Sequence, residues 1–548
     1  MKEWLKKYIC HRTKLFVVGV ILILTGLMIH LLIINSIRNK LSLLVWKSSA
    51  GKYELNLAEI KINYLSRSIF LNHVECFPKQ GLKTKGDLIY SRFSSIELAH
   101  IDLWDLTFHD KIKINEINFN HPLIVYFKAD SIEHNPIKKP DEKLSIPYSV
   151  EVGGISFSSF PFYWMENKQN PRLILISQGS TLAIHDFKLE QLGLNNQLDV
   201  SVGPTTLKIP SFSFPQVNKL YRIVGNNLAY EGIDSTLSIE AIHLIPLYNT
   251  KDFADSARMQ ITRMDIRSFE WIVNGFSLNT LFQEQELRIK TLKIRNAKID
   301  AYRNNQFAGA IRYCASMQDL IRQIPFKLRV DTIQADSIFV RFRVLAPKSR
   351  LPGSIFLTQM NVRALGIYTI NQQQVLQPFK IDMSGLVMNQ GKLKIQFEFP
   401  FDSSQNVFYC KGSLGKMPFV SFNTLLENSK GIRIKAGIID SVSFWFKADE
   451  KYSNGKMNFQ YHNLSIENLK VNPKESLMHL RLRSLLLNNF IAIAENPSNS
   501  NQLRISPIYA KRDTSRYFLH YASQSIMSGI IHSLIGEKKM KLQKQLLK

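Results

Sequence analysis

The sequence predicts a mainly β protein: a long curved antiparallel sheet of bent strands forming a groove, preceded by one transmembrane helix and closed by a C-terminal helix. Three observations predict it. Residues 15–34 form an apolar run. From residue 55 to residue 487, pairs of apolar residues two apart recur with a three-residue step between pairs. The last segment, 511–548, is apolar along one side and basic at its end.

The apolar run, LFVVGVILILTGLMIHLLII, is interrupted only by Gly19, Thr25, Gly26 and His30. A helix rises about 1.5 Å per residue, so this length crosses the hydrocarbon of a bilayer. Lys2, Lys6, Lys7, Arg12 and Lys14 precede it against a single Glu3, while Arg38, Lys40 and Lys47 follow more thinly. The positive-inside rule therefore makes residues 1–14 a cytoplasmic tail, 15–34 the anchor, and the remainder a body across the membrane. The run is longer than a signal-peptide core and no A-x-A-like site follows it, which favours an uncleaved anchor. His30 faces no second span, so it reads as a residue tolerated near the outer interface rather than as a proton relay.

The chain has 548 residues and a net charge of +26. Residues 1–48 carry +7 (eight Lys and Arg, one Glu), which leaves +19 for the body. Such a body is attracted to polyanionic surfaces, including anionic lipid headgroups. Nucleic acid is excluded as a partner by topology, because an exported segment does not meet it. Of the four cysteines, Cys10 lies before the anchor and Cys76, Cys314 and Cys410 are widely spaced, so they form neither a disulfide framework nor a metal motif. Each reads as a small buried apolar residue. No cofactor is implied.

The repeat begins with Leu55, Leu57, Ile60 and Ile62 and returns at Ile69, Leu71, Val74 and Cys76. It recurs at Ile112, Ile114, Ile117, Phe119, at Leu182, Ile184, Phe187, Leu189, and at Leu287, Ile289, Leu292, Ile294. Late copies are Ile432, Ile434, Gly437, Ile439, then Leu464, Ile466, Leu469, Val471, then Leu480, Leu482, Leu485, Leu487. Residues two apart share a face of a strand. The three-residue step keeps that face only where a bulge absorbs one residue. Leu287/Ile289 and Leu292/Ile294 are thus expected on one side of one sheet. Offsets of 0, 2, 5 and 7 fit a helix poorly. The residues taken to line the groove are Leu55, Leu57, Ile60, Ile62, Ile112, Ile114, Leu287, Ile289, Leu292, Ile294, Ile432, Ile434, Leu464, Ile466, Leu480 and Leu482. This repeated β region runs over 50–400, followed by a C-terminal β module over 401–510.

Three stretches read as helical. Residues 307–324 place Phe307, Ile311, Cys314, Ala315 and Ile321 along one side before Pro325 stops them. In PFVSFNTLLENSKG, Asn423 is the expected cap and Gly431 the terminator. The last helix, capped by Asp513 or Thr514, runs through Tyr517, Phe518, Tyr521, Ile526, Ile530 and Leu534 to Lys538, Lys539, Lys541, Lys544 and Lys548. It has the look of a membrane-surface helix. Gly529 and Gly536 weaken it as a free-standing helix and favour one laid over the last strands.

The block GKMPFVSFNTLLENSKGIRIKAGIIDSVSFWFKADEKYSNGKMNFQYHNLSIENLKV resembles the AsmA-like superfamily, in particular its DUF748-type members. Phe422, Asn423, Leu426, Gly431, Ile439, Phe446, Gly455, Met457, Tyr461 and Leu464 carry the resemblance, with Leu425 one place early. The closing segment, entered through Arg512 and Asp513, is also similar to that family's C-terminal helix. The resemblance implies a single-pass protein of a bacterial inner membrane, with its bulk in the periplasm. It implies a protein that handles or transfers a phospholipid or other envelope lipid along an apolar groove, or helps assemble the outer membrane, with other envelope proteins as partners. The alternative is a structural scaffold whose β core is closed. An enzyme is not expected, since no G-x-S-x-G, H-E-x-x-H or P-loop is present. The adjacent pairs His109/Asp110 and His185/Asp186 point to opposite faces of a strand.

Overall fold

The computed structural model describes residues 2–49, 51–79, 87–101, 111–128, 149–166, 172–192, 197–257, 260–307, 313–347, 349–369, 378–401, 406–468, 493–498 and 502–535. The chain divides into two compact units, Met1–Ser213 and Phe214–Lys548. Both are mainly β, with the helix at each end that the sequence predicts.

The first unit opens with α1 (Lys2–Ser48), which continues through the apolar run and beyond it. Val20–Lys47 is long and apolar enough to cross a membrane, and residues 20–32 are almost all exposed. The helix then changes role. Ile37 is buried, and Ile33, Ile34 and Leu41 pack with it on the core made by Leu57, Ile60, Ile69 and Leu71. β1 (Tyr53–Asn63), β2 (Ser68–Pro78) and β3 (Leu88–Ala99) follow as an antiparallel meander. β4 (Lys111–Asn120) and β5 (Leu123–Lys128) both pair with β3, on either side of the break at His121 and Pro122. Both also run parallel to β6 (Ser149–Glu166). β7 (Arg172–Leu192) is antiparallel to β6 and to both β8 (Gln197–Ser201) and β9 (Thr205–Val217).

The second unit is a sheet of long strands. Its first three are β10 (Tyr221–Glu231), β11 (Thr236–Pro246) and β12 (Thr262–Asn274), with α2 (Asp252–Ala257) between the last two. After α3 (Leu278–Gln283), β13 (Glu286–Asn304) runs parallel to β14 (Lys327–Leu345), and α4 (Met317–Arg322) lies in the crossover. β15 (Gly353–Tyr368), β16 (Phe379–Val387), β17 (Gly391–Phe399) and β18 (Phe408–Leu414) continue antiparallel. β19 (Met417–Pro418), β20 (Ile432–Ala448), β21 (Tyr452–Asn468) and β22 (Ile505–Lys511) complete it. The expected antiparallel sheet is therefore mixed, because parallel pairs need the crossover segments that the strand repeat does not reveal.

The bulges are left-handed residues. In β1 and β2 the pairing steps over Ala58 and His73, and His73 sits at φ 51°. Leu57 and Ile60, three apart, are both buried in one core, as are Leu71 and Val74. Asp186, Asn227, Glu270, Asn296, Ser337, Gln359 and Asn463 repeat the device inside other strands, all at φ between 49° and 57°. In β14 and β15 the pairing steps over Asp331 and Gly366, the latter at φ 80°. Val330 pairs with Ile367 and Ile333 with Ala364, and Ile333, Ala364 and Ile367 meet in one core. Side-by-side residues share a face. Ile289 pairs with Val330 and Leu292 with Ile333, so the two halves of that repeat do face one side.

The helices correct the sequence reading in detail. Among the described residues of the stretch 307–324, the helix is confined to α4. Ser316 caps it by accepting from the Asp319 amide, and Cys314 donates its own amide to the Thr514 carbonyl, which holds the preceding turn out of the helix. Residues 308–312 lie outside the description. α5 (Asn423–Lys430) does end at Gly431, but Asn423 is not its cap. Its side chain instead makes two bonds to the Ile434 backbone, 2.8 and 2.9 Å, and so ties the helix to β20. α6 (Phe518–Ile535) starts after both expected caps. Asp513 accepts from Ser515 instead. The basic tail, 536–548, lies outside the described residues.

A left-handed site strains a β-branched residue most. His73→Gly should stay within about 0.5 kcal/mol of wild type, whereas His73→Val should cost roughly 1–2 kcal/mol. Thermal unfolding of the detergent-solubilised chain followed by circular dichroism measures both.

Candidate functional site

The apolar face is treated differently along the second unit. Over β14, β15 and β20–β22 helices cover it: α5 packs on β14, β15 and β20, and α6 on β21 and β22. The aromatic centre of this covered part is Phe397, Phe399 and Phe408, with the Phe518 ring standing edge-on to Phe397 and Phe399 at 5.5 and 5.4 Å. Buried hydroxyl pairs fasten α6 down, Ser525 to Ser453 and Ser533 to Ser506, both at 2.8 Å. The Tyr461 hydroxyl donates to the Ile493 carbonyl at 3.0 Å. Gly529 lets the helix approach closely, since a Cβ there would lie 2.9 Å from Ile508 and 3.0 Å from Met457.

Between α6, α5 and the strands lies a cavity of about 240 Å³ whose lining side chains are all apolar. Ile432, Ile434, Leu464 and Ile466 form its floor, and Met527, Ile530, Ile531 and Leu534 of α6 its roof. Met527 is exposed, so it marks the rim. An apolar cavity of about 150 Å³ already stays dry and admits small apolar ligands. Gly437, at φ 132°, occurs where a side chain would strike Leu464 and the Phe419 ring.

Over β13 the same face is less covered. Leu287, Ile289, Leu292 and Ile294 are each half-buried, although Ala297 on the same strand packs into a small cluster with Ile338 and Met360. The opposite, polar face bounds a wider hollow of about 1200 Å³. Lys293, Arg363, Lys394, Lys411 and Lys456 line it against Asp336 and Asp382, beside exposed Trp445 and Ile505.

The expected groove residues thus fall into separate groups. Leu57, Ile60 and Ile114 are buried in the first unit's core, with Leu55 and Ile62 packed against it. Ile112 is placed by its pairing with Val150, its side chain being outside the description. Leu480 and Leu482 lie outside the described residues. Phe419, Phe459 and the α6 roof were not among the groove positions, although strict alternation through Leu393, Ile395, Phe397 and Phe399 and the apolar side of α6 were signals for this core.

Burial pushes the thiols of Cys76 and Cys410 up, and among the described residues no disulfide forms. Burial raises Asp300, but its bonds to Arg341 and Arg343 outweigh this and hold it below its ordinary range. His185 and Asp186 are exposed on β7, Asp186 being a bulge residue; His109 and Asp110 lie outside the description. Among the described residues no group of His, Cys, Asp and Glu is placed to hold a metal ion.

The class defined by these features is a mainly β protein with one N-terminal helix able to cross a membrane and an apolar sheet face, part roofed and part half-exposed. Compared with known proteins, the chain matches no family model and no curated protein.

Two expectations follow. Ile434→Ala should cost about 2–5 kcal/mol, because it enlarges a roofed core, and Ile289→Ala well under half of that; denaturant titration separates them. His520, at the start of α6, is lowered to about 4 by burial and then by Arg516. The neutral form is the one the fold favours, so its stability contribution is full above pH 6.5 and is lost as pH falls towards 4. The part of the pH dependence of the melting temperature that vanishes in His520→Gln should lie in that window.

Proposed function

We propose that this protein is a non-enzymatic, inner-membrane-anchored lipid-handling protein of the bacterial envelope. In this reading residues 1–14 are cytoplasmic, the β units lie in the periplasm, and the ligand is a phospholipid or other envelope lipid, as the AsmA-like resemblance implies. The observation that carries it is the half-exposed apolar stripe of β13, Leu287, Ile289, Leu292 and Ile294, which leaves apolar side chains with room for a ligand. An acyl chain gains about 0.8 kcal/mol per buried CH₂. An all-apolar lining therefore holds a tail without directed polar contacts. The apolar cavity under α6 supports the same reading, since unfilled apolar space remains on this face even where it is roofed.

A second reading, a scaffold with a closed core, is favoured by the burial of Ile432, Ile434 and Leu464 under a helix fastened by serine pairs. Mass spectrometry of lipid co-purified with the full chain distinguishes the two, with Ile289→Glu and Ile466→Glu beside wild type and circular dichroism as folding control. Lipid handling predicts lipid on wild type and less on Ile289→Glu with its folding retained, while Ile466→Glu, in the roofed core, reports on stability. A bare wild type with collapse of both variants favours the scaffold, because a packed core then receives an unpaired charge at several kcal/mol.

A further inference from the structure

From the contact between α1 and the first hairpin, we propose that the β1–β2 turn is a second membrane contact, seated in the bilayer interface beside the helix; this rests on the reading of α1 as a membrane span. β1 starts just past the end of α1 and doubles back along it. Its 11 residues, at about 3.3 Å each, reach up to about 36 Å, more than the roughly 27 Å of the 18 helical residues from His30 to Lys47, so the hairpin is long enough to return to the level of His30. The hairpin lies on the helix through Ile33, Ile34, Ile37 and Leu41. At its tip the Tyr64 hydroxyl meets His30 Nδ1 at 2.7 Å, with the two rings edge to face.

His30 belongs to the apolar run, four residues before its end at Ile34. The contact therefore places the turn about 6 Å inside the end of that run. The turn is built for such a position. Asn63 folds it by accepting the amides of Leu65 and Ser66, which takes up donors that the bilayer cannot satisfy. Leu65 is 99% exposed at the apex and Tyr64 is half-exposed, so the tip presents an apolar residue beside an amphipathic ring. Tyrosine with one apolar and one polar end suits the interfacial zone. Arg67, exposed on the other side of the turn, has the reach to keep its charge at the headgroups.

The consequence is that the sheet of the first unit meets the membrane directly, at β1 and β2, instead of hanging from a linker. Its apolar face then begins at the level of the lipid headgroups.

The test is site-specific photo-crosslinking in the full chain reconstituted into vesicles of phosphatidylethanolamine and phosphatidylglycerol. p-Benzoylphenylalanine replaces in turn Leu24, exposed on the helix, Leu65 at the tip, and Glu54, exposed at the far end of β1. All three positions tolerate bulk, so folding is kept. Lipid adducts at 24 and 65 and none at 54 are expected by mass spectrometry. Adducts at 24 alone overturn the tip contact and leave the span standing. Absence of adducts at all three positions overturns both.

Discussion

A single inserted residue decides which way every side chain beyond it points, and this protein uses that insertion repeatedly. The period of a strand is two, so a three-residue step turns an apolar series to the wrong face. Leu71 and Val74 nevertheless lie in one core because His73 between them takes a left-handed conformation and drops out of the pairing. The same residue of register is absorbed in phase at Asn296 and Ser337, which keeps β13 and β14 aligned along their whole parallel pairing. Each bulge costs conformational energy and increases local twist. What it maintains is one apolar face along strands of up to about twenty residues.

That face has to be dealt with, and the structure does so in three ways. In the first unit the helix that also carries the apolar run lays Ile33, Ile34, Ile37 and Leu41 over the first strands. In the last strands of the second unit α5 and α6 form a roof, imperfectly enough to leave an apolar cavity. Over β13 the apolar side chains remain half-buried. A packed roof and a half-exposed stripe serve different ends: the first gives stability, and the second leaves room for an apolar ligand at a cost in solvent exposure.

Much of this was legible in the sequence because periodicity and run length are local signals. The apolar run, the paired strands and the final helix all follow from spacing. The identity of the bulge residues did not, since Asn, Asp and His take left-handed backbone more readily than most residues but Glu270, Ser337 and Gln359 do not announce it. Cap positions were misread where a side chain had another partner: Asn423 bonds Ile434 on β20, and Asp513 accepts from Ser515 in a local turn. The parallel pairing of β13 with β14 depends on a crossover that no strand pattern encodes. Which of the sixteen groove positions become roofed core and which stay half-exposed depends on where α1, α5 and α6 come to rest, a tertiary outcome invisible to spacing.

The central claim is that the face kept apolar by the bulges is closed at β20–β21 and open to a lipid at β13. Thiol modification of Ile294→Cys and Ile434→Cys by a water-soluble maleimide, before and after detergent removes bound lipid, tests it most directly. The account predicts that the thiol at 434 stays protected throughout and that the thiol at 294 becomes reactive only once lipid is removed. Equal protection of both positions after lipid removal would contradict it.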